Sequence, residues 1–394
     1  MRATTTLILG GGFGGIAAAN TLRPLLPAEH AIVVVDESPR FHVGAGKTWI
    51  MLGDRTPEQV SQSRIALLAP GVRFVEASVR SIALADRTVL ADSETLRWDF
   101  LVIALGADLN LAAVPGLAEA AHTFYTVEGA QRLKPVLDRF SGGDVAILIP
   151  KAPFKCPPAP YEAALLLHAA FERRGLGGRT RLAIHTVEGA PMATAGAEMG
   201  EYIKGELASR AIGFFPQRRA SRVDAATKRV AFEDGSEARY DLLIAIPPHE
   251  APIAVRDAKL VDPSGWIPVD PTTMEVRHPA HAGEIYAAGD VTLVPLPGRH
   301  KPDVALSLPK AGVFAAAHGR VVAHQIAARI LGRAPDEAFD GKGYCFLETG
   351  GGRAVKADGS FFELPHPLMR KRTPDEAQLR DKAEWVERLL RPLR

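Results

Sequence analysis

Short apolar runs and stretches of helical period alternate along this chain. Thr5–Leu9 is a compact apolar run, a glycine-rich stretch follows, Ile16–Leu26 has helical character, and Ala31–Asp36 (AIVVVD) is a second apolar run. Apolar runs of four to eight residues bounded by turn signals, alternating with helices, predict buried strands of parallel sheets. The same alternation predicts strands at Phe100–Leu105, Val145–Ile149, Arg181–Val187, Tyr240–Ile246 and Ile285–Asp290. It predicts helices at Glu162–Arg174 and Lys310–Leu331, with a connection of helical character over 109–140. This layout is α/β, with two successive nucleotide-type folds, the second inserted into the first. The expected boundaries are 1–110 and 271–335 for the first fold, 111–270 for the second, and 336–394 for a C-terminal segment.

The turn between the first run and the first helix carries chemistry. Gly10, Gly12 and Gly15 stand in G-x-G-x-x-G spacing, with Phe13 and Gly14 inside the motif. An acid, Asp36, closes the second strand about 20 residues on. The first glycine permits a tight turn, the second lets backbone approach a pyrophosphate, and the third lets the helix pack on the strand. The helix N-terminus then offers free N–H groups and a favourable dipole to phosphate, and Asp36 is placed for a ribose hydroxyl. Strand, turn, helix, strand and acid in register predict a Rossmann-like dinucleotide site. Gly44–Thr48 (GAGKT) imitates the end of a P-loop, but Phe41 stands where that motif needs its first glycine. Nucleoside triphosphate binding is not expected there.

Composition narrows the picture. The 394 residues are 47% hydrophobic and 23% charged, ordinary for a globular protein and too long for one domain. The net charge of +2 provides no electrostatic case for nucleic acid. Two cysteines, Cys156 and Cys345, exclude a disulfide-dense scaffold and a four-cysteine zinc site. On composition alone they read as incidental core thiols. The twelve histidines form no ligand pattern, His278 and His281 lacking companions, so no metal is expected. No apolar run reaches the roughly 18 residues needed to cross a bilayer. Glycines break the apolar N-terminal stretch, which argues against a signal peptide and for a cytoplasmic protein.

The second fold departs from the first at its turn. After Val145–Ile149 comes Pro150–Pro160 (PKAPFKCPPAP), a loop with no glycine. Prolines lack N–H groups, so this loop cannot form the nest of donors that cradles a pyrophosphate. A degenerate NAD site is expected. The loop instead presents Cys156 near the start of the next helix, close in sequence to Lys151 and Lys155. Such surroundings predict a lowered thiol pKa. In the tail, Leu379, Ala383, Val386, Leu390 and Leu393 mark one apolar helical face, with Trp385 and Leu389 beside it. Residues 370–394 carry eight Lys/Arg against five Asp/Glu. This tail suits either an anionic membrane surface, through 374–394, or packing on its own protein or a dimer mate. Packing is the favoured expectation.

Gly10–Gly15, Asp36, the turn Ala104-Leu105-Gly106-Ala107 and the strand end Gly289-Asp290 occur in the order found in flavoproteins of the pyridine-nucleotide disulfide oxidoreductase superfamily. Lys155–Glu162 (KCPPAPYE), Pro309–Phe314 (PKAGVF) and Gly343–Glu348 (GYCFLE) narrow the resemblance. They are similar to segments of sulfide:quinone oxidoreductases and flavocytochrome c sulfide dehydrogenase flavoproteins. The resemblance implies FAD in the first fold, with Asp290 on its ribityl chain and Lys310, Ala311 and Gly312 beneath the flavin. It implies a Cys156–Cys345 redox disulfide, Cys156 accepting sulfur and Cys345 next to the flavin. Glu162 matches an acid of the family implicated in proton handling. A small sulfur substrate and quinone, or a separate electron carrier, follow as partners. Phe346, Phe361 and Phe362 are candidates to line a quinone site. Many relatives carry a third cysteine that is missing here, and no C-x-x-C-H haem motif is present. An NAD(P)H-using flavin disulfide reductase and a non-enzymatic FAD redox sensor are the alternatives.

Overall fold

The computed structural model describes residues 2–393. The elements that position the site are, in chain order, β1 (Thr5–Leu9), α1 (Phe13–Leu25), β2 (Ala31–Asp36), α2 (Lys47–Leu52), β3 (Arg73–Glu76), β4 (Phe100–Ile103), β5 (Gly143–Ile149) and α3 (Ala159–Arg173). They continue with β6 (Thr180–Thr186), β7 (Gly213–Phe215), β8 (Leu242–Ala245), β9 (Ile285–Ala287), α4 (Gly312–Leu331), β10 (Lys342–Gly350), β11 (Arg353–Ser360), β12 (Leu368–Lys371) and α5 (Glu376–Leu389).

Two parallel sheets carry the chain. The first has the order β9-β4-β1-β2-β3, so β9 closes a sheet begun far upstream. The second has the order β7-β6-β5-β8 and comes from residues lying between β4 and β9. The apolar runs become strands because both faces of each sheet are covered, which favours near-continuous hydrophobic sequence. β1 is the clearest case, with Leu7, Ile8 and Leu9 all fully buried between β2 and β4. Each such side chain contributes roughly 1.5–3 kcal/mol on leaving water. β5 serves two cores by alternation. Val145, Ile147 and Ile149 enter the main core, which runs through both sheets. Ala146 and Leu148 enter a smaller core with Val230 and Leu243 on the opposite face.

The antiparallel parts were not anticipated. Three-stranded sheets form over Val79–Arg97 and Ala220–Arg239. Their strands, such as Glu94–Arg97, are short and half exposed, so they lack the continuous apolar run that marks a buried strand. The segment around Cys345 is a full nine-residue strand, β10, in a third antiparallel sheet β10-β11-β12. α5 packs on that sheet and buries Lys382 and Val386. No described helix is long and apolar enough to cross a membrane.

Candidate active site

The glycine turn after β1 is tight because two of its positions admit no side chain. Gly10 has φ +96°, and a Cβ there would lie 2.3 Å from the Ala104 carbonyl oxygen. A Cβ on Gly15 would lie 1.8 Å from the Gly10 carbonyl oxygen. Helix α1 is thereby seated directly on the turn, with Gly12 as its N-cap and open space above Gly12. Asp36 ends β2, and its Oδ2 accepts the Gly11 N–H at 2.7 Å. Arg64, which the sequence pattern did not single out, clamps the same turn. Its Nη1 is 3.1 Å from Asp36 Oδ1, and its Nε donates to the Gly11 carbonyl at 2.8 Å.

A cavity of about 460 Å³ opens over this turn. Gly12, Phe13, Gly14, Ala104, Gly106, Gly289, Asp290, Ala311 and Gly312 all contribute to its wall. The N-terminus of α4 points there beside that of α1, two donor-rich helix ends side by side. Asp290 Oδ1 is buried and has no hydrogen-bond partner. An orphaned carboxylate oxygen in a cavity wall implies a donor from a bound group. A ribityl hydroxyl fits that requirement, and the Gly10–Gly15 turn fits a pyrophosphate, so the residues present suit FAD. Lys310 is buried and directed away from an open surface position. Its Nζ donates to the Asp290 and Thr292 carbonyls at 2.6 and 2.9 Å and lies 3.5 Å from the Trp266 ring centre. Burial lowers its pKa to about 8.

Both cysteines reach this cavity as free thiols. Cys156 sits in the left-handed region, at φ 56°, two residues before the α3 N-cap. Its N–H donates to the Lys310 carbonyl at 2.7 Å, which ties the proline-rich loop to the start of α4. Cys345 comes from β10. The expected lowering of the Cys156 pKa is overturned. Burial and then Glu162 push it up to about 11, against a downward pull from Lys382 and Lys47. Desolvation outweighs the cations, and the cations that pull hardest are Lys382 and Lys47, not the sequence neighbours Lys151 and Lys155. Cys345 is pushed up to about 12 by burial, next by Cys156 itself.

Glu162 does not stand alone. Its Oε1 accepts from Lys382 Nζ at 3.0 Å and from Thr48 Oγ1 at 3.0 Å, and its Oε2 accepts the Glu348 N–H at 2.9 Å. Lys382 also donates to Glu348 Oε1 at 2.6 Å, and Trp49 Nε1 donates to the same oxygen at 2.7 Å. This buried triad joins α3, β10 and α5. Burial raises the Glu162 pKa against the pull of Lys382, while the two carboxylates hold Lys382 raised in spite of its burial. Lys382 was hidden in the sequence because it interrupts the apolar face of the tail helix. On that same helix Trp385 stacks on Phe13, with ring centres 6.4 Å apart, and helps wall the cavity. Phe346 and Phe361 also line it, whereas Phe362 packs on Phe339, with centres 5.4 Å apart.

Two further ionisable groups face the cavity. Lys47, in the segment that imitates a P-loop, donates to the Tyr125 carbonyl, and burial followed by Lys155 lowers its pKa to about 7. Glu188, two residues beyond β6, accepts from the Tyr161 hydroxyl at 2.6 Å, and burial raises its pKa to about 7. The signal for Glu188 was present in the sequence, since it follows the second strand of the second fold much as Asp36 ends that of the first. Among the described residues, no group of three or more His, Cys, Asp or Glu could hold a metal ion.

Comparison with known proteins agrees with this geometry. The family model of pyridine nucleotide-disulphide oxidoreductases matches residues 4–148. That of the central part of the sulfide dehydrogenase [flavocytochrome c] flavoprotein chain matches residues 131–247. The mitochondrial sulfide:quinone oxidoreductase of Mus musculus is 22% identical over 378 residues, covering 91% of this chain and 78% of its own. The sulfide-quinone reductase of Aquifex aeolicus is 29% identical over 185 residues, covering 46% and 43%. The crystal structure of the Aquifex aeolicus sulfide:quinone oxidoreductase superposes with a TM-score of 0.85 at 23% identity, covering 98% of this chain and 90% of that one.

Proposed function

This chain belongs to the sulfide:quinone oxidoreductase and flavocytochrome c sulfide dehydrogenase flavoproteins, within the pyridine nucleotide-disulphide oxidoreductase superfamily, and from that premise we propose that it oxidises sulfide through a Cys156–Cys345 disulfide and delivers the electrons to quinone. It is an FAD-dependent oxidoreductase. The observation that carries the reading is the meeting of two cysteines, far apart in sequence, on the cavity that the dinucleotide turn also lines.

Two buried thiols that each resist ionisation make poor nucleophiles, so the chemistry starts from the disulfide form of the pair and an external sulfur anion as the nucleophile. Hydrosulfide attacks the Cys156 sulfur, the Cys156–Cys345 bond breaks, and a persulfide forms on Cys156 with a thiolate on Cys345. A second hydrosulfide removes the sulfane sulfur and leaves Cys156 reduced. Loss of two electrons and a proton from the pair then restores the bond. Bound FAD supplies the two-electron acceptor and the route to quinone.

The remaining work falls to the protein. Gly10–Gly15 and Asp290 would hold FAD, and the ends of α1 and α4 would offer their dipoles to its negative charge. Trp385, Phe346 and Phe361 exclude water on the side of Cys345. Glu162, raised by burial, can hold a proton within the Glu162–Lys382–Glu348 triad, and that proton takes the triad from net −1 to neutral. Anaerobic titration of the purified holoprotein with sulfide tests the reading, since flavin absorbance should bleach and a soluble quinone should restore it. Flavin that stays oxidised under excess sulfide overturns the substrate, and bleaching that survives in Cys156→Ser overturns the disulfide.

A further inference from the structure

We propose that Glu188 is the base that takes the proton from an incoming S–H group on the Cys156 side of the cavity, so that the site accepts neutral hydrogen sulfide or a small thiol and makes the attacking anion in place. This deepens the proposed function and rests on its disulfide step. Glu188 and Cys156 line one cavity whose wall is largely apolar and includes Met192, Ala193 and Ala195, with Lys47 and Lys155 as cations on the same wall. An apolar chamber admits an uncharged sulfur species more readily than an anion. The anion must then be generated inside, by a group able to accept a proton there.

Glu188 meets that requirement by its surroundings. Tyr161 from α3 and Thr186 from β6 hydrogen-bond its carboxylate, Tyr125 lies within reach of its charge, and Cys156 lines the same cavity. No Lys, Arg or His forms an ion pair with it among the described residues, so no cation holds it ionised. That distinguishes it from Glu162, which Lys382 holds in the triad. Burial places its pKa at about 7, where proton uptake and release are both accessible. The step balances. The Glu188 carboxylate and H₂S give the carboxylic acid and HS⁻, HS⁻ attacks Cys156, the disulfide opens, and Cys345 leaves as thiolate. Glu188 then returns the proton to solvent.

Methanethiol tests this, because it stays un-ionised in bulk across the neutral range and its proton must be removed by the protein. The oxidised holoprotein is mixed with methanethiol, and the methylthio adduct on Cys156 is followed by mass spectrometry against pH. The wild type should react with a rate that rises through about pH 7. Glu188→Gln should react ~10²-fold more slowly, and Glu188→Asp should recover part of the loss. Tyr161→Phe removes a hydrogen bond that favours the carboxylate, so its midpoint should move to higher pH. An unchanged rate in Glu188→Gln, or an unmoved midpoint in Tyr161→Phe, overturns the proposal alone. Absence of any Cys156 adduct in the wild type overturns the disulfide reading and this proposal with it.

Discussion

The two parallel sheets begin alike and end in opposite chemistry. Each has a strand, a turn, a helix and a neighbouring strand followed by an acid. In the first, glycines let α1 sit on the turn, and Asp36 is locked by the Gly11 N–H and Arg64. In the second, prolines remove the donors, the turn projects Cys156 into the left-handed region, and Glu188 meets a tyrosine in place of a cation. The first turn is rigid and donor-rich, suited to hold a phosphate group. The second is donor-poor and carries Cys156, which lines the cavity. The difference teaches that one supersecondary unit can present a different set of groups to the same cavity through its turn and the partner of its acid.

The sharpest separation of the two turns comes from Cys156→Ser. This variant should keep its flavin and its fold yet lose sulfide-dependent flavin reduction by ~10³-fold or more, read by anaerobic stopped-flow absorbance. Retention of the rate would mean that the second turn is not the reacting one.

Removing the cation that joins α5 to α3 and β10 should have the next largest effect. Lys382→Met leaves two buried carboxylates without a counter-charge and should cost about 3–5 kcal/mol in chemical denaturation. Carboxylates with raised folded pKa values lose stability as pH rises, because the unfolded chain binds fewer protons there. The loss should therefore be larger at pH 8 than at pH 5, and equal losses at both would remove the charge argument.

Gly15→Ala probes the first turn alone. Its Cβ meets the Gly10 carbonyl, so the variant should lose about 1–3 kcal/mol and be purified without flavin. A flavin-replete Gly15→Ala protein would break the assignment of that turn.

The smallest expected effect is the contribution of Glu188 to stability. Its pKa rises from 4.5 to about 7 on folding, so its stabilising influence is full below the lower value and is lost as pH climbs through the higher one. Glu188→Gln should flatten that part of the stability–pH curve by on the order of 1–3 kcal/mol. An unchanged curve would mean that burial does not raise the Glu188 pKa.

Much of this was legible in the chain because it rests on local rules. A buried parallel strand needs a continuous apolar run, so β1, β2, β4, β5 and β9 declared themselves. A pyrophosphate turn needs glycine at fixed spacing, and a proline-rich loop forbids one, so the contrast between the two turns was visible before any fold. The nine-residue β10 and the two small antiparallel sheets were not legible, because half-exposed strands mix polar and apolar residues.

What the sequence by itself determined is therefore the pair of sheets, the glycine turn of the first and the glycine-free, proline-rich turn of the second. Only the tertiary structure decided the electrical state of the site. Desolvation depends on everything packed around a group, so the Cys156 thiol moved up where its neighbours in the chain suggested down. Lys382 became the centre of a buried triad only because α5 docks on β10 and brings it to Glu162 and Glu348, which no spacing along the chain encodes.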